Sequence, residues 1–147
     1  LPHLTIGGLL LAQRRARARV RLGAEAAALA SLSARLEAIS FKWRSAWEGK
    51  CRREVHARLV LWRSFLQEYH ESPSSQAENY PQQVQWRVLL HLLTEPPNSF
   101  PKEAALVLEL DDFLRSAFLP GRFLWESDLI AAFPEETFWF LYGTLKS

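Results

Sequence analysis

Apolar and polar positions follow a helical period along most of this chain. Between Ala24 and Glu71 there is no proline, and apolar residues recur at Leu29, Leu32, Leu36, Ile39 and Trp43. Steps of three and four put these residues on one stripe of a helix, as in a heptad seam. A second stripe runs through Val55, Leu59, Trp62, Leu66 and Tyr69. At about 100° per residue it lies roughly a third of a turn around from the first. One long N-terminal helix of roughly 70 Å, kinked near Gly49, accounts for the shift. The alternative is a helical hairpin folded at Glu48–Lys50, which has only Gly49 to serve as a loop residue. The pairs Glu48–Arg52 and Glu54–Arg58 add support at helical spacing.

Residues 72–79 are polar and proline-bearing and read as a loop. Three later helix starts share one form: Tyr80–Pro81, Phe100–Pro101 and Phe133–Pro134. Proline suits the first helical position, where its missing N–H costs nothing. Glu103 and Glu135–Glu136 follow in the first turn, where the helix dipole favours negative charge. The helix from Pro81 to Glu95 contains VLLHLL and is apolar nearly all round, so it is expected at the centre. Helices are also predicted over Pro101–Leu119, near Ser127–Ala132 and over Pro134–Leu145. Pro120–Gly121 is expected to turn. The one ambiguity between helix and strand is the run FWFLY. The predicted fold is all-α: a long helix packed with a bundle of about four shorter ones. Trp125 and Trp139 are expected in its core.

The N-terminal segment has a different character. Leu4–Ala12 (LTIGGLLLA) is apolar but too short to span a bilayer. Arg14, Arg15, Arg17, Arg19 and Arg21 follow at once. An apolar run ending in arginines resembles the cytoplasmic end of a membrane anchor under the positive-inside rule. The chain has no methionine, and the rest of such an anchor would lie upstream of Leu1. A frayed helix start or a targeting remnant is the plainer alternative. Residues 1–23 are therefore set apart as an arm, and residues 24–147 as a single helical domain.

Charge sharpens this division. Residues 1–23 carry +5, residues 24–72 carry +2 and residues 73–147 carry −5, for a net +2. A basic arm before an acidic body points to an anionic membrane surface as a partner. Nucleic acid is disfavoured, because no recognised binding module follows the arm. Cys51 is the only cysteine, which excludes an intrachain disulfide and fits a cytoplasmic, reducing location.

Candidate chemistry is sparse. Glu109, Asp111 and Asp112 have no histidine at ligand spacing and read as a solvated face. His91 lies in the apolar VLLHLL run, where an imidazole needs partners. Arg87 precedes it by one turn, so a buried polar network of Arg87 and His91 with Asp111 or Asp112 is expected. Cys51 falls in step with Trp47 and Val55, a core stripe, and His56 points elsewhere. Trp43, Trp47, Trp62 and Trp86 are candidates for a ligand pocket but also suit plain core. No phosphate loop, nucleophile elbow or zinc motif occurs, so neither a catalytic residue, nor a cofactor, nor a metal is expected.

The sequence therefore predicts a non-enzymatic helical interaction domain, tethered at the cytoplasmic face of a membrane. Its helix–helix interface is Leu29, Leu32, Leu36, Ile39 and Trp43, facing another helical protein or its own copy. A soluble ligand-binding or regulatory domain is the runner-up.

Overall fold

The second apolar stripe organises the core. Cys51, Val55, Leu59, Trp62, Leu66 and Tyr69 form the buried face of α3 (Arg44–Glu71). The computed structural model describes residues 4–20 and 23–147, and these form an all-α helical bundle with one small ribbon. Helix α3 packs along α5 (Tyr80–Thr94). Within α5, Val88 to Leu93 are buried apart from the half-buried His91, so this helix is central, as its pattern predicts. Helix α6 (Pro101–Ala117) lies beside α3, burying Val107, Leu114 and Ala117.

The long N-terminal helix breaks at Trp43 rather than bending at Gly49. It becomes α2 (Ala24–Lys42) and α3, with Trp43 at φ −112° and ψ 41° between them. Gly49 stays helical inside α3. The break falls between the two stripes. The second stripe packs on α5, whereas Leu29 and Leu36 lean toward α1 (Ile6–Arg19), where Gln13 Nε2 donates 2.6 Å to Ser33 Oγ. The break at Trp43 lets α2 and α3 meet these two sets of neighbours at different angles. Residues 72–79 are also more ordered than a loop: they form α4 (Pro73–Gln76) and a 3₁₀ turn over Ala77–Asn79.

Residues 1–23 were set apart by composition. Within them, α1 packs on α5 and on the 3₁₀ segment Ser127–Ala132, burying Ile6, Leu11 and Ala18.

The predicted helix over Pro134–Leu145 does not form. Turns lead to a 3₁₀ turn at Trp139–Leu141 and then to strand β2 (Tyr142–Leu145). Strand β2 pairs antiparallel with β1 (Phe118–Phe123), in the register Phe118↔Leu145, Leu119↔Thr144 and Pro120↔Gly143. Phe138, Phe140 and Leu141 are buried in the turns that lead in, and within the strand the buried positions Gly143 and Leu145 alternate with the more open Tyr142 and Thr144, as suits extended chain. Gly143 is needed for the close approach of the two strands, since a Cβ there would run into Leu119 O and the Phe118 ring. The ribbon is tied to the helices from both ends. The Tyr80 hydroxyl donates to Phe140 O, and the Tyr69 hydroxyl donates to Lys146 O.

Candidate functional site

A broad opening with an apolar lining lies where the start of α1, the end of α2 and the start of α3 meet. Leu4, Ile6, Leu9, Ile39, Trp43, Ala46 and Trp47 line an open groove of about 700 Å³. Two contacts at the α1 N-terminus build one wall. Thr5 Oγ1 accepts from Gly8 N at 3.0 Å, a conventional N-cap. Both Glu54 oxygens accept from Gly7 N at 3.1 Å, which brings a carboxylate from α3 to the positive end of the α1 dipole. Gly7 permits this contact, because a Cβ there would strike the Glu54 carboxylate. Lys50 and Arg53 stand on the rim, and Lys42 Nζ sits 5.5 Å above the Trp43 ring.

Helix α2 leads into this groove with no buried residue of its own. Leu32 (56% exposed), Ile39 (51%) and Trp43 (59%) remain open, while Leu29 and Leu36 are half-buried. The stripe predicted as an interface is therefore split. Its Leu29–Leu36 edge turns toward α1, and its Leu32–Ile39–Trp43 edge is uncovered.

The arginines predicted to meet an anionic surface have partners within the fold. Arg14 Nε donates 2.8 Å to Ala132 O, its guanidinium lies 4.9 Å from the Phe138 ring, and Nη1 is 3.6 Å from Glu95. Arg15 stacks 4.6 Å over Trp125, and its buried Nε has no hydrogen-bond partner. Burial pulls the Arg15 guanidinium below its ordinary range. Arg19 pairs with Asp128 at 2.9 Å and with Glu126 at 3.6 Å. Arg17 is exposed, and Arg21 lies outside the described residues.

The predicted polar network divides in two. Arg87 and Asp111 form a buried two-pronged pair at 2.9 and 2.8 Å, with Arg87 stacked 4.4 Å over Phe140. Asp112 is exposed on the outer face of α6. His91 turns instead to Glu95 at 2.9 Å and rests edge-on against Phe138. That pairing was legible as an i,i+4 contact. The pair of His56 Nε2 with Glu103, also at 2.9 Å, joins two helices and has no such signal.

These pairs set a response to acid. The hydrogen bond from His91, with help from Arg14, holds the Glu95 carboxyl below its usual range, and His56 does the same for Glu103. A folded value below the unfolded one gives stability that is complete above the unfolded value of about 4.3. It is lost as pH falls through the folded value. The melting temperature should therefore drop between about pH 5 and pH 3, and Glu95→Gln with Glu103→Gln should flatten that drop. An identical slope in the double variant would show that these carboxylates are not responsible.

Among the described residues, no group of three or more His, Cys, Asp or Glu side chains is placed to hold a metal ion. Cys51 is fully buried, accepts from Asn98 Nδ2 at 3.6 Å, and has its thiol pushed up by burial. Trp62 is fully buried, whereas Trp43 and Trp47 line the groove. No helix among the described residues is long and apolar enough to cross a membrane. Compared with protein-family models, with curated proteins and with solved structures, the chain matches none of them.

Proposed function

We propose that this chain is a non-enzymatic helical interaction domain that holds another helix along α2 and in the groove at its end. One observation carries the reading. Helix α2 has an apolar stripe yet buries no residue, and the stripe runs straight into an apolar groove. An uncovered apolar stripe of this kind marks a partner surface. Covering a Leu or Ile side chain that is half exposed is worth roughly 1 kcal/mol, and an aromatic anchor such as Trp43 adds more.

The simplest partner is a second copy of the chain. Leu32→Asp with Ile39→Asp should lower the mass seen by light scattering while the helical signal stays unchanged, since both side chains are exposed. A chain that is monomeric before and after the change sinks the self-association reading.

A second reading rests on the cations around the groove. Lys42, Lys50 and Arg53 beside an exposed tryptophan suit an anionic membrane surface, such as a cytoplasmic leaflet. In that case the groove is the lipid contact, while Arg14, Arg15 and Arg19 are engaged within the fold. Co-sedimentation with phosphatidylserine vesicles, lost in Lys50→Gln with Arg53→Gln, is the result expected of a membrane contact.

A further inference from the structure

We infer that the groove of one copy receives α6 of a second copy in a head-to-tail contact, an inference that rests on the groove being a helix receiver. The outer face of α6 has the complementary make-up. Leu108 is 64% exposed there, beside the exposed Glu109 and Asp112. On the groove, Trp43, Ala46 and Trp47 stand beside Lys50 and Arg53.

The charges match in spacing as well as in sign. Glu109 and Asp112 are three residues apart on one helix, and so are Lys50 and Arg53. Each pair spans about 4.5 Å of helix axis, so two crossing or parallel helices can bring both contacts together. None of the four makes an ion pair among the described residues. The acid on the groove wall, Glu54, does not cancel the rim, because its carboxylate is turned onto Gly7 N and Arg58.

The two faces cannot meet within one molecule. Arg52 and His56 reach Glu103 on α6, whereas Glu54 reaches Gly7 on α1. Positions 52 and 54 lie about 200° apart around a helix, so α1 and α6 flank α3 on opposite sides. A contact between two different patches is heterologous, so it propagates along a row of copies or closes into a ring. Opposite charge on the two faces speeds encounter and makes it salt-sensitive.

Two charge-reversal variants test the contact by sedimentation velocity. Variant one is Lys50→Glu with Arg53→Glu, and variant two is Glu109→Lys with Asp112→Lys. The unaltered chain should exceed single-chain mass, grow with concentration and dissociate in high salt. Each variant alone should weaken association by about 100-fold or more and sediment as a single chain. Mixed one to one, the variants should associate again as alternating copies, because the intact groove of variant two meets the intact α6 of variant one and the two reversed faces are again opposite in charge. A chain carrying all four changes should associate again. Circular dichroism checks that each variant is folded, and all four positions are exposed. Failure of the two variants to pair on mixing overturns the inference. So does association that survives reversal at Glu109 and Asp112 but is lost in Leu32→Asp with Ile39→Asp, and in that outcome the α2 surface still binds a helix. A single-chain mass in the unaltered protein overturns the inference and its parent reading of self-association together. Vesicle binding lost with Lys50 and Arg53 in a chain of single-chain mass assigns the groove to lipid instead.

Discussion

Asp111→Ala should destabilise the fold by about 3–5 kcal/mol, seen as a lower urea midpoint with an unchanged denaturant slope. The carboxylate accepts two hydrogen bonds from Arg87, at 2.9 and 2.8 Å, and both side chains are buried. Removing one partner leaves a guanidinium in the core without its counter-charge, and that uncompensated charge is the main cost. The Arg87 guanidinium also stacks over Phe140, whose carbonyl accepts from Tyr80, so the damage should spread to the ribbon. Arg87→Met with Asp111→Leu should lose less than either single change, because no charge is then left buried. A cost below about 1 kcal/mol for Asp111→Ala would mean that water reaches the guanidinium and replaces the carboxylate.

Phe138→Ala and Phe140→Ala should each cost about 3–5 kcal/mol. Both rings are fully buried, and they pack edge-on to one another at 5.9 Å. Phe138 also meets Phe133 at 5.1 Å and His91 at 4.7 Å, so its loss opens a cavity with several walls. Trp125 and Trp139 were expected in the core on composition, and their truncation should cost less, about 1–2 kcal/mol. They are only half-buried, each with one face under an arginine: Arg15 at 4.6 Å and Arg115 at 3.9 Å. Equal losses at all four aromatic positions, measured by thermal melts, would contradict this ranking. The size of an aromatic side chain did not tell core from shell here, because tryptophan and phenylalanine fit either place. Their neighbours decided it.

Much of the helical architecture was legible in the chain itself. The stripe Val55–Tyr69 and the apolar α5 follow from a period of 3.6, a local property that needs no knowledge of partners. Helix starts at Tyr80–Pro81 and Phe100–Pro101 follow from proline's fixed geometry. The same start at Phe133–Pro134 failed, since the run after it was claimed by the ribbon. Strand pairing outweighs a helix signal when the partner strand, here β1, is already in place.

The candidate site was only half legible. The apolar stripe Leu29–Trp43 was visible in the spacing, and so was the presence of cations around it. Which edge of the stripe stays open depends on α1, and nothing local to residues 24–43 announces α1 as a neighbour. The arginine series shows the same limit. Its charge was plain from the sequence, but its partners lie far along the chain: Asp128 is 109 residues from Arg19, and Ala132 is 118 residues from Arg14. The seat of α1 itself rests on a carboxylate 47 residues away, where Glu54 takes Gly7 N. Periodicity, proline placement and net charge are properties of neighbours in sequence, and the sequence by itself determined those. Which charges are consumed within the fold, where the long helix breaks and which apolar face is left open depend on contacts between distant segments, and only the tertiary structure decided them.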